Sequence, residues 1–241
     1  MKHELAKTKN VRHFQAIVGD LFNRPAGIEG MGCLWGEPGE GKSTVVAWMT
    51  NRVNGIFIRA KRSWTMTSML ETIVMELNGE PKRRRSQMET WIEKRLMEEK
   101  EQRIIFVDEA DYLFNSTDML DVLRDIYDMT STPIMLIGME QLARRIQDNG
   151  RLARRITSWV EFKGIDLDDT RTVAETVCEV QVADDLLDHL HQAAKANIGR
   201  IVMGLSRIEG MGKTSGIGAV SLADWGDRPL FFDQPKFRRR G

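Results

Sequence analysis

The chain has 241 residues, and its 35 Lys+Arg balance 35 Asp+Glu to give a formal net charge of zero. With 41% hydrophobic and 29% charged residues it can bury a core, which excludes an intrinsically disordered chain. Neutrality also excludes a protein that coats nucleic acid or acidic membrane by bulk charge, so any nucleic-acid contact must come from a local basic patch.

Short apolar runs at 31–35, 55–59, 103–107, 133–138 and 159–162 read as five strands. Helical periodicity fills the gaps at about 42–52, 65–78, 87–100, 118–129 and 140–148. This alternation predicts an α/β fold with a mostly parallel five-stranded sheet flanked by helices. Past Ile165 the pattern becomes helical, with Asp168-Asp169-Thr170 as a helix start leading into 171–180, followed by 183–196 and 198–208.

Cys33 and Cys178 stand outside any CxxC or Cys/His cluster, so each reads as a small buried hydrophobe in a reducing, cytoplasmic setting. Neither a run of about 18 apolar residues nor a signal-peptide core is present, and no membrane span or export is expected. His3, His13, His189 and His191 form no ligand spacing, and Trp64, Trp91, Trp159 and Trp225 read as packing residues.

Gly36-Glu37-Pro38-Gly39-Glu40-Gly41-Lys42-Ser43, followed by Thr44, matches G-x-x-x-x-G-K-[ST] in full, after an apolar strand and at the start of an amphipathic helix. The glycines let backbone N–H groups wrap a phosphate, and the helix N-terminus adds its positive dipole end. Lys42 would reach the β- and γ-phosphates and the Ser43 hydroxyl would ligate Mg²⁺. A partial copy at Gly210-Met211-Gly212-Lys213-Thr214 has Arg207 in place of the first glycine and no preceding strand, so it reads as a flexible surface loop. In the run Ile104-Ile105-Phe106-Val107-Asp108-Glu109, a buried strand delivers two carboxylates to its C-terminal end. Asp108 would hold Mg²⁺ through its water shell, and Glu109 would polarise the attacking water.

On these motifs the chain resembles the AAA+ class of P-loop ATPases over about residues 10–210. The resemblance implies strand order 5-1-4-3-2, ATP and Mg²⁺ as cofactors, and a homo-oligomer in the form of a ring or helical filament. It divides the chain into a nucleotide-binding domain at 1–166, a helical lid at 167–227 and a basic tail at 228–241. More narrowly, Phe106–Leu113, Pro133–Leu142 and Arg154-Arg155-Ile156 are similar to TnsC-type transposition regulators and the target-DNA activator B proteins of Mu-like transposing phages. ExeA-like ATPases and Orc/Cdc6 initiators share parts of the pattern. The implied function is an ATPase that assembles on duplex DNA regardless of sequence and works with a transposase, in the bacterial host cytoplasm if phage-encoded. A helicase loader or replication initiator, and an ATP-switched protein-interaction module of the ExeA type, are the alternatives.

Carried over residue by residue, the pattern expects a polar sensor 1 group at the end of the fourth strand. Here that place holds Gly138-Met139, leaving sensor 1 unassigned, with Glu140 the nearest polar residue. Arg155 best matches the arginine finger that reaches a neighbour's γ-phosphate, with Arg154 and Arg151 as alternates. The same arginines also fit a solvated helix end or pairing with the acids at 166–169. Asn197-Ile198-Gly199-Arg200 is similar to a sensor 2 turn, which makes Arg200 a nucleotide contact or, on the plainer reading, a surface cation.

Two basic clusters stand out, Lys82-Arg83-Arg84-Arg85 and the group Arg59, Lys61 and Arg62. Charge runs are usually solvated. The resemblance instead has these loops line an axial channel on DNA, through sequence-independent phosphate contacts. The tail carries five basic residues against Asp233, a net of +4, and could touch DNA or a partner or be a disordered end. With about 35 residues before the phosphate motif, a separate N-terminal DNA-binding domain and site-specific target choice are not expected.

Overall fold

The computed structural model describes residues 1–115 and 117–232; Asp233, Lys236 and Arg238-Arg239-Arg240 of the basic tail lie outside them. The chain forms two compact units, one of residues Asn10–Lys163 and one of Met1–Lys9 with the residues from Gly164 onward. Residues 1–9, read from sequence with the nucleotide-binding part, thus group with the helical one.

In chain order the first unit holds α1 (Lys9–Phe22), β1 (Met31–Gly36), α2 (Lys42–Arg52), β2 (Ile56–Arg59), α3 (Met66–Glu76) and α4 (Arg85–Met97). It continues with β3 (Ile105–Asp108), a 3₁₀ turn (Ala110–Asn115), α5 (Thr117–Thr130), β4 (Ile134–Gly138), α6 (Glu140–Asp148), α7 (Gly150–Ala153) and β5 (Ile156–Phe162). The five strands pair in parallel in the order β2-β3-β4-β1-β5, which is the expected order. β3 and β4 are buried at every residue, as the unbroken apolar runs require of strands covered on both faces.

α1 was not anticipated. Val11, Phe14, Val18 and Leu21 fall at helical spacing and are all buried, and the Phe14 ring meets Phe106 at 6.2 Å and Phe162 at 6.1 Å between centroids. β5 begins three residues earlier than its apolar run. As an edge strand it tolerates polar positions, and the Thr157 hydroxyl donates to the Glu29 carbonyl at 3.0 Å.

The second unit holds α8 (Leu167–Val177), β6 (Gln181–Val182), α9 (Asp184–Ala194), α10 (Ile198–Ser215), β7 (Ala219–Val220) and α11 (Leu222–Trp225). Leu186, Leu190, Ile201, Leu205, Ile208 and Trp225 form its core. α8 starts earlier than read, because the Asp166 carboxylate caps it by accepting the Asp169 N–H at 2.9 Å. β6 and β7 make a two-residue parallel ladder with no sequence signature. The expected loop at Gly210–Thr214 is instead the last part of α10. A Cβ on Gly212 would come within 2.9 Å of Val220 and 3.0 Å of Val180, so that glycine allows close packing rather than a turn. The helix stops at Gly216, whose φ of 67° is left-handed.

Both cysteines are buried and free. Burial pushes the Cys33 thiol up to about 12 and the Cys178 thiol up to about 11, leaving neither reactive. Among the described residues no helix is long and apolar enough to cross a membrane.

Candidate nucleotide site and basic surface

The sheet order sets the site. β1 runs into the loop 37–41, β3 delivers Asp108 and Glu109, and β4 lies between them, so loop and acids meet at the C-terminal ends of the strands. A Cβ on Gly36 would stand 2.4 Å from the Phe162 carbonyl oxygen, which restricts this strand end to glycine. Gly39 and Gly41 have φ of 85° and 80°, conformations that open the loop and that other residues rarely adopt. α2 begins immediately after Gly41 with no side-chain cap, so the N–H groups of its first turn have no acceptor within the helix.

Lys42 folds back over the loop, its Nζ donating to the carbonyls of Gly36 at 2.7 Å and Glu37 at 2.9 Å. Partial burial lowers its pKa, against the opposing pull of Glu40, Asp108, Glu109 and Asp111. Ser43 is half-buried in the first turn and Thr44 is exposed beside it. Glu40 is buried and Pro38 exposed within the loop. Pre-formed glycine cradle, uncapped helix start and one lysine are what a polyphosphate needs.

Asp108 is 3% exposed. Its Oδ1 accepts the Glu109 N–H at 3.0 Å, while its Oδ2 is buried and accepts no hydrogen bond. Arg59, opposite Asp108 in the β2–β3 register, places Nη2 3.2 Å from that oxygen and 4.0 Å from Glu109 Oε1. A buried carboxylate oxygen with one unsaturated side is a fit donor for a hard cation such as Mg²⁺, together with the Ser43 hydroxyl. Glu109 has φ of 56°, an unusual value for a side-chain-bearing residue at the head of the acid turn.

The remaining sequence-expected residues fall in three places. Arg155 is held in its own unit, with Nε and Nη2 on Asp128 at 2.7 and 2.6 Å and Nη1 on the Arg151 carbonyl at 3.0 Å. Arg151 and Arg154 are exposed, make no ion pair among the described residues, and line an open groove of about 770 Å³ with Phe114 and Arg145. Arg200 belongs to the second unit, where its guanidinium lies 4.2 Å from the Phe231 ring centroid and Asn197 caps the helix start.

Lys61, Arg62, Lys82, Arg83, Arg84 and Arg85 are exposed and form no ion pair among the described residues. Arg85 Nε donates to Thr67 Oγ1 at 2.8 Å, setting the start of α4 against the start of α3. Cations at helix N-termini oppose the dipole preference, so folding does not explain them there. Arg59, unlike these residues, is paired with the acids. Trp64 and Trp91 pack on the core, as expected.

Residues 27–146 match the family model described as an AAA domain. The fold is that of the AAA+ P-loop NTPases. Similar solved structures include Cdc6p from Pyrobaculum aerophilum, with a TM-score of 0.68 and 14% identity over 90% of this chain and 66% of that one. The Aeropyrum pernix ORC2 protein, in ADPNP–ADP complexes, gives 0.70 and 14% over 92% and 68%. Drosophila ORC bound to DNA gives 0.65 and 16% over 90% and 59%. The chain thus spans about two thirds or less of the length of these proteins. No curated protein matches it.

Proposed function

We propose that the protein is an ATP-hydrolysing AAA+ switch that assembles on duplex DNA and regulates transposition, with the division into a nucleotide-binding core, a helical lid and a basic tail serving that cycle. Lys42 and the first-turn N–H groups of α2 bind the phosphates. Magnesium, when bound through Ser43 and Asp108, would neutralise phosphate charge. Glu109 accepts a proton from the attacking water as its oxygen bonds to the γ-phosphorus and the bond to the β-phosphate oxygen breaks, leaving ADP and phosphate. Arg154 of a neighbouring copy completes the charge stabilisation, because Arg155 is engaged by Asp128. Arg200 links the lid to nucleotide state.

The observation that carries the DNA reading is that Lys61, Arg62 and Lys82–Arg85 are all exposed and form no ion pair among the described residues, with Arg85 bonded to Thr67 at the start of α3. Repeated around a ring or along a filament, that surface would line the DNA. A transposase partner rests on the strings at 106–113, 133–142 and 154–156. A second reading, a replication initiator, is favoured by the likeness in fold to Cdc6p and to ORC proteins, one of them from Aeropyrum pernix in complex with DNA. The test is duplex-DNA binding with ATP, ADP and no nucleotide, with electron microscopy of the ATP-analogue sample. Binding that rises with ATP, with rings or filaments, supports the proposal; equal, negligible binding in all three states sinks it. Stable capture of a replicative helicase rather than a transposase would decide for the initiator.

A further inference from the structure

We propose that Asp111 is a positioning residue of the nucleotide site, supplying from the 3₁₀ turn the polar group that β4 itself lacks. The inference rests on the ATPase reading above. β4 lies between the strand that enters the phosphate loop and the strand that delivers Asp108 and Glu109. A polyphosphate spanning loop and acids therefore crosses the end of β4. That end is Gly138, which offers no side chain.

Asp111 fills the space. Its Oδ2 accepts the Met139 N–H at 2.9 Å, and a Cβ on Gly138 would lie 2.2 Å from that oxygen. The carboxylate thus occupies the volume a β4 side chain would take. Gly138 is not among the residues with positive φ, so what bars a side chain there is the carboxylate, together with Leu142 Cδ2 at 2.8 Å.

A carboxylate repels a phosphate, so it must act through a proton-bearing group between them. A water molecule has two protons. Glu109 accepts one, and an acceptor at the end of β4 fixes the second, turning a lone pair towards the γ-phosphorus. With Glu109 alone the water would still rotate about its single hydrogen bond. Glu109 takes the transferred proton, and Asp111 only accepts a hydrogen bond.

The decisive variant is Asp111→Asn, which keeps the shape and an acceptor for the Met139 N–H while replacing the carboxylate by an amide. The expected result is an unchanged melting temperature, unchanged affinity for a fluorescent ATP analogue with Mg²⁺, kcat lowered by at least about 10-fold, and KM altered by less than about threefold. Gly138→Ala, which leaves the carboxylate chemically intact but pushes it aside, should show the same split and serves even if Asp111→Asn melts lower. Turnover by Asp111→Asn within about twofold of wild type, with Asp111→Ala impaired, would mean that the group only braces Met139 and would overturn the inference. Absence of hydrolysis by the wild type sinks both readings, whereas wild-type hydrolysis with an unimpaired Asp111→Asn sinks this one alone.

Discussion

Replacing Gly36 by alanine probes the join between sheet and phosphate loop. Gly36 pairs with Phe162 across β1 and β5, and the new Cβ would stand 2.4 Å from the Phe162 carbonyl oxygen and 3.2 Å from its carbonyl carbon and Cβ. Contacts below 3.0 Å are essentially never made, so the strands must part by at least 0.6 Å, and the obstructing atom is backbone that cannot rotate away. Overpacking of this kind costs about 1–3 kcal/mol. Expressed in folding, that is a melting temperature lower by about 2–12 °C for a chain of this size. Expressed as displacement of the loop, it is a loss of about 5- to 150-fold in nucleotide affinity. Thermal melts with and without nucleotide, and titration with a fluorescent ATP analogue, read both. Gly210→Ala is the control, since a Cβ there meets nothing within 4 Å and the position lies inside α10, so it should stabilise by about 0.5–1 kcal/mol. Wild-type melting and affinity in Gly36→Ala would refute the proposition that the β1–β5 contact sets the loop.

Three other expectations follow from the same geometry. Arg154→Ala should lower ATP turnover in the assembled state with little change in melting temperature, whereas Arg155→Ala, which breaks the two bonds to Asp128, should cost about 1 kcal/mol and about 2–4 °C; the reverse pattern would return the finger to Arg155. Glu209 is buried, and although burial pushes its carboxyl up, Lys213 at 2.7 Å and the chain's amino group outweigh this and hold it down at about 2. Because the folded value lies below the ordinary one, its stabilisation is present above pH 4.5 and is lost as pH falls towards about 2, so Glu209→Gln should melt lower at neutral pH and fall less on acidification; superimposable melting curves would remove the group from the balance. Neutralising Arg83 and Arg84 should weaken duplex binding equally across sequences and flatten the salt dependence by about 0.9 per lost phosphate contact, and an unchanged slope would exclude that surface.

What could be read from the residues, and what could not, divides along physical lines. Strands β1, β3 and β4 are buried on both faces, so they appear as unbroken apolar runs, and the glycine-lysine loop follows the first of them without ambiguity. α1 carried a readable signal in the spacing of Val11, Phe14, Val18 and Leu21. Gly210 and Gly212 looked like a loop because local propensity counts glycine as a breaker, while packing against Val180 and Val220 decides the matter. The two-residue strands β6 and β7 are too short for any period to show. Arg59 was grouped with its basic neighbours, yet the β2–β3 register turns it towards Asp108. The role of Asp111 has no local sequence signal for a similar reason: its meeting with Gly138 spans 27 residues and depends on how the 3₁₀ turn folds back over β4.

The most direct measurement pairs phosphate release with nucleotide binding in the same samples of wild type, Lys42→Ala and Glu109→Gln. The wild type should bind and hydrolyse ATP, Lys42→Ala should do neither, and Glu109→Gln should hold ATP without turning it over. Undiminished hydrolysis by Glu109→Gln, or full binding by Lys42→Ala, would contradict the assignment of this loop and these acids as the site of ATP hydrolysis.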